Sequence, residues 1–180
     1  MLPAARSLKV QRTGLFLYLS FGVLFLIYAL GFITDTYLFY AYGDKGLANF
    51  YGEMQRINAA LLWRSIWIIV FAVFLFLLEL GSHAAGLFTL IVAGIVAAGS
   101  LAFSLTSALE LAAIRGTYRA LDLSSLDRYI ERGTITYTPS TLTFDLGLAL
   151  CVLFLCASLF LIINVFYNAF NVKEGTYETI

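Results

Sequence analysis

Residues 60–80 read ALLWRSIWIIVFAVFLFLLEL, a stretch in which Arg64 and Glu79 are the only charged side chains. A helix of that length extends about 31 Å, close to the ~30 Å hydrocarbon core of a bilayer. Its first turns carry Trp63, Arg64 and Trp67, side chains that settle where membrane meets water. From Ile68 to Leu78 the run is apolar on every face, the pattern of a helix surrounded by lipid or core rather than half-exposed to water.

Three more such segments lie outward from this one, near 14–33, 84–109 and 145–170. Inside hydrocarbon the backbone must satisfy its own hydrogen bonds, so each is expected to be a helix. The expected fold class is an all-α integral membrane protein, a four-helix transmembrane bundle with short amphipathic helices in its two larger loops. One membrane domain over 1–180 is expected, with the loops 34–59 and 110–144 forming a cap on one side. The composition agrees: 61% of the residues are hydrophobic and 12% charged, against about 25% charged in soluble domains. Eleven basic and eleven acidic residues give zero formal charge, which offers nucleic acid nothing to bind.

The first segment follows Arg6, Lys9 and Arg12. A secretory signal begins this way, but the run is long and without a convincing small-residue cleavage site, so an uncleaved span is expected. Tyr37 to Tyr42 is aromatic and too short to span, and Gly43-Asp44-Lys45-Gly46 reads as a turn. From Leu47, the residues Phe50, Tyr51, Met54, Ile57 and Leu61 recur at helical spacing, predicting an amphipathic helix that leads straight into the second span. The connection at Gly81-Ser82-His83 is short, making spans two and three antiparallel neighbours.

After Glu110 a helix is expected to reach about Arg115 before Gly116 weakens it. Leu126, Tyr129 and Ile130 then mark a short amphipathic helix, with Ser124 as its N-cap and Gly133 as its stop. Thr138-Pro139 has the form of a cap followed by proline at the first position of the next helix.

Span three is rich in small residues, and Gly94, Ala98, Ala102 and Thr106 are spaced by four. In lipid this pattern lets helix backbones approach closely. The face packs either against another helix of this chain or against another subunit. Asp35, Arg64, Glu110 and Asp145 each fall at the loop-side end of a different span, and an intramembrane arginine demands a partner or a route to the interface. Glu110 or Asp145 is the expected partner of Arg64, in a cluster able to bind a polar group or gate an ion path. Asn164, Asn168 and Asn171 follow one face near the end of span four and suit interhelical hydrogen bonding. Glu79 and His83 lie four apart beside the short turn, where solvated side chains are expected rather than a proton relay.

No H-E-x-x-H, G-x-S-x-G, P-loop or CxxC motif occurs. Cys151 and Cys156 lie five apart within one span, roughly 140° apart around the helix axis, and with the single His83 they make no metal set. Neither a catalytic site nor a cofactor or metal is expected. Even-numbered spans place both termini on one side. The basic N-terminal tail puts that side in the cytoplasm, while Lys45, Arg56, Arg115, Arg119, Arg128 and Arg132 on the loop side argue the other way. The expected function is a small non-catalytic accessory, assembly or regulatory subunit of a larger membrane complex, for instance a transporter, whose partners are the bilayer and other protein subunits. The alternative is a homo-oligomeric ion channel or small-solute transporter.

Overall fold

The computed structural model describes residues 3–33, 36–81 and 87–177, with side chains over 13–33, 36–78, 88 and 90–167. Among these residues all regular structure is helical. Six helices follow in order: α1 (Pro3–Gly31), α2 (Tyr37–Tyr42), α3 (Lys45–Gly81), α4 (Leu87–Arg119), α5 (Ser124–Glu131) and α6 (Leu142–Tyr177). Four of them contain stretches long and apolar enough to cross a membrane: Thr13–Gly31, Lys45–Leu78, Leu90–Arg119 and Leu142–Tyr167. The four long helices form a closed ring in the order α1, α3, α4, α6, each packed against the next. Helices α3 and α4 are neighbours, as the short connection requires, but the most extensive packing is between α4 and α6.

The amphipathic pattern from Leu47 to Leu61 is in phase with the run that follows, so α3 is continuous for 37 residues, a length of about 55 Å. Its outer face changes character along the way. Lys45, Asn49, Glu53 and Arg56 are exposed before the change, and Trp63, Ile66, Trp67 and Val70 after it. Gly116 does not end α4, which continues to Arg119; one exposed glycine costs only about 1 kcal/mol in a helix, less than the packing of Ile114 and Tyr118, both buried.

The loop-side ends of α3 and α4, with α2, α5 and the segment around Tyr137, build a second core that caps the ring. Phe39 of α2 is completely buried, with the rings of Phe50, Tyr118 and Tyr137 at 5.9, 6.3 and 5.4 Å. Aromatic pairs at such separations add about 0.5–1.5 kcal/mol each beyond area burial. Leu126 of α5 is also fully buried.

Local chemistry sets the helix ends. Asp44 starts α3, its carboxylate accepting from the Leu47 amide at 2.9 Å. Helix α5 ends in a Schellman motif: the amides of Gly133 and Thr134 donate to the carbonyls of Ile130 and Tyr129, both at 2.9 Å, with Gly133 at φ 67°. Two expected caps differ. Ser124 is the first helical residue of α5 rather than its cap, and its amide donates to Asp122 at 3.0 Å. Pro139 lies three residues before α6, whose first turn is held by Ser140, accepting from the Leu142 amide at 3.2 Å, and by the Asp145 amide, donating to the Thr141 carbonyl at 3.0 Å.

Inside the ring the filling is aromatic. Tyr18 and Phe25 of α1 lie 5.1 and 6.5 Å from Phe154 of α6. Two glycines allow the close approaches. A Cβ on Gly22 would stand 2.9 Å from Ile68 Cγ2, and one on Gly147 would overlap the ring and hydroxyl of Tyr28. That hydroxyl donates to the Thr143 carbonyl at 3.0 Å, tying α1 to the first turn of α6.

Candidate functional site: a polar seam along α4

Arg64 lies on α3 just past the point where its outer face turns apolar, and Glu110 lies opposite on α4. The guanidinium grips the carboxylate with both ends, Nη1 to Oε2 at 2.6 Å and Nη2 to Oε1 at 3.0 Å, while Nη1 also donates to Ser107 Oγ at 3.1 Å. The side chains are 16% and 32% exposed. A bidentate charge-assisted pair of this kind is the strong form of the interaction, and partial removal from water strengthens its Coulombic part.

Asp145 does not join this pair. It binds Arg115 of α4, Nη2 to Oδ1 at 2.5 Å, and its other oxygen accepts from Thr141 Oγ1 at 2.9 Å. The loop-side charges therefore make two separate pairs, one across α3 and α4 and one across α4 and α6. Asp35 lies outside the described residues. Arg115 is the participant that sequence reading did not include. Its signal was available: five residues beyond Glu110, it projects from a different side of the same helix.

A second feature not singled out from sequence continues inward from the ion pair. Ser100, Ser104 and Ser107 are all buried and lie at i, i+4 and i+7 on the inner face of α4. Tyr18 shares a hydrogen bond with Ser100 across the ring. Ser104 Oγ donates to the Cys151 carbonyl of α6 at 2.6 Å. The inner face of α4 is thus lined by small residues, Ala93, Ala97, Ser100 and Ser104, all buried.

The row spaced by four starts against α6 and then turns outward. Gly94 is half-buried, with Val165 3.7 Å from the position of an added Cβ, while Ala98, Ala102 and Thr106 are exposed. Thr106 Oγ1 donates to its own Ala102 carbonyl at 2.7 Å. Beyond them Ala113, Gly116 and Ala120 are exposed as well. The outer face of α4 therefore mixes these small residues with the exposed side chains of Phe88, Ile91, Ile95, Leu105 and Leu109, whereas α1, α3 and α6 present Phe16, Ile27, Trp63, Ile163 and Phe166.

Near the opposite end of the ring Asn164 is buried, and its Nδ2 has no hydrogen-bond partner among the described residues. Gly14 packs on it, an added Cβ falling 3.2 Å from that nitrogen. The side chains of Asn168 and Asn171 lie outside the described residues, as do Glu79 and His83. Cys151 is buried and Cys156 exposed, on different sides of α6. In the cap, the hydrogen bond from the Ser124 amide holds the Asp122 carboxyl below its ordinary range.

With both oxygens of Glu110 engaged by Arg64, the pair is arranged to hold two helices together and to present a neutral polar head at the seam. No family model, curated protein or solved structure matches the chain.

Proposed function

We propose that the chain is an integral membrane protein crossing the bilayer four times, and that it acts as a non-catalytic accessory or assembly subunit of a larger membrane complex. The observation that carries this reading is the outer face of α4. Ala98, Ala102, Ala113 and Gly116 are exposed on a helix whose inner face is already packed against α1, α3 and α6. Lipid does not require small side chains, but a partner helix does, because association in a bilayer depends on close packing. The face also continues to the loop-side end of α4, next to the cap. A partner fitted to it is a helix that leaves the membrane alongside α4 and meets the cap. Within the ring, the buried rings of Tyr18 and Phe154 stand where a conducting path would run, which favours a docking role over a channel. On this reading the termini share one side with the basic N-terminal tail, placed in the cytoplasm.

The test is assembly in the native membrane. Ala98→Leu and Ala102→Leu place bulk on the face, where both positions are exposed; Ile163→Ala removes bulk from an outward position of α6 that is 64% exposed. If the face docks a subunit, the first two lower recovery of the complex in mild detergent while the third does not. Equal effects of all three remove the docking reading. Conduction by liposomes holding this protein alone, altered by Arg64→Ala, would replace it with the channel reading.

A further inference from the structure

The Arg64–Glu110 pair borders the seam between α3 and α4, and the residues that share its stripe on each helix differ sharply in size. On α3, Trp67 and Phe71 follow Arg64 at i+3 and i+7, with rings stacked 5.5 Å apart, and Trp63 stands edge-on to Trp67 at 5.8 Å. On α4, Thr106 and Gly99 precede Glu110 at i−4 and i−11, and both are exposed. An added Cβ at Gly99 meets nothing within 4 Å. The seam thus has an aromatic wall, a low wall and a polar head at one end. From Glu110 to Gly99 it extends about 16 Å along α4.

The chemistry of the head selects the occupant. An arginine has five N–H donors; three are used on Glu110 and Ser107. The remaining donors lie beside a carboxylate that is 32% exposed. As a matched pair it carries no net charge, so it offers little attraction to a phosphate, yet one hydroxyl can donate to Glu110 and accept from Arg64 together. Flat aromatic faces opposite a glycine suit a rigid, planar apolar body better than a flexible acyl chain, whose ordering costs entropy.

From this arrangement we propose that the α3–α4 seam binds a membrane lipid with a neutral hydroxyl head and a flat, rigid body, a sterol-like molecule, with its hydroxyl at Arg64 and Glu110 and its body along Trp67, Phe71 and Gly99. The proposal rests on the membrane reading but not on the subunit reading, since the lipid lies on the α3 side of α4 and leaves Ala98 and Ala113 to a partner.

The two tryptophans of the chain both stand at this seam, so energy transfer from tryptophan to dehydroergosterol in phosphatidylcholine nanodiscs reports on it directly. The expected result is saturable transfer that cholesterol displaces and cholesteryl methyl ether, which lacks the donor, displaces about tenfold less well. Gly99→Leu, at a position where an added Cβ meets nothing within 4 Å, abolishes saturation while leaving the sterol-free emission unchanged; Glu110→Gln weakens binding to a similar degree as the ether. Transfer that rises linearly with sterol content and is the same in Gly99→Leu overturns the proposal. So does displacement by phosphatidylserine instead of cholesterol, which would assign the head to a phosphate.

Discussion

Arg64 and Glu110 meet through two parallel hydrogen bonds, at 2.6 and 3.0 Å, across the seam between α3 and α4. The two helices are neighbours because their connection is short, but this pair fixes their rotation, since a fork-to-fork contact tolerates little misalignment. Breaking it from either side leaves a partly buried charge without its partner.

Arg64→Ala or Glu110→Ala is therefore expected to cost about 2–3 kcal/mol in unfolding from detergent. Replacing both residues with apolar ones of similar volume, Arg64→Met with Glu110→Leu, is expected to recover most of that loss. Thermal unfolding of the two single variants and the double variant checks the coupling; additive losses would mean that the pair contributes nothing to stability.

Gly147 lies beneath the Tyr28 ring, and an alanine there overlaps it. Gly147→Ala is expected to destabilise by about 1–3 kcal/mol, the usual cost of overpacking. Tyr28→Phe loses the hydrogen bond to Thr143 and costs about 1 kcal/mol. Gly99→Ala, with open space around it, is expected to be neutral or slightly stabilising, because alanine is the better helix former. One unfolding series over the three variants separates close packing from helix propensity.

At Gly133 the constraint is backbone conformation. Its φ of 67° is left-handed, so Gly133→Ala is expected to cost about 1–2 kcal/mol and Gly133→Asn less. Loss of protection at the Gly133 and Thr134 amides, whose bonds close α5, is the hydrogen-exchange signature.

Asp122 gives α5 a dependence on pH. Its carboxyl is held below the ordinary value of 3.8 by the hydrogen bond from the Ser124 amide. Because the folded form binds the proton less well than the unfolded one, the carboxylate supports α5 fully above the unfolded value, and this support is lost as pH falls through the lower folded value. Protection of the Ser124 amide is expected to be flat near neutrality and to drop only in acid. Asp122→Asn keeps an acceptor and removes the pH dependence; Asp122→Ala weakens protection at every pH.

The apolar segments and the amphipathic lead-in from Leu47 made the ring legible from sequence, because periodicity and span length report directly on where a helix can be buried. Helix ends were less legible. Gly116 weakens a helix locally, but the buried contacts of Ile114 and Tyr118, which no local signal reveals, carry α4 to Arg119. Arg64 needed a partner, and the sequence narrowed the choice to Glu110 or Asp145; choosing between them required the rotation of α4, which also brings Arg115 to Asp145. The spacing of Gly94, Ala98, Ala102 and Thr106 marked a face without saying which way it points. That direction depends on the neighbouring row Ala93, Ala97, Ser100 and Ser104, which takes the inner side because its hydroxyls find partners on α1 and α6.

On the docking reading proposed above, the outer face of α4 belongs to a partner subunit. The most direct test is native mass spectrometry of the protein purified in mild detergent from its own membrane, combined with photo-crosslinking from position 98 on that face and from position 163 on α6. Docking on this face gives one protein partner at fixed stoichiometry, crosslinked from position 98 and not from position 163. A protein that emerges alone or only as copies of itself, with lipid adducts at both positions, contradicts it.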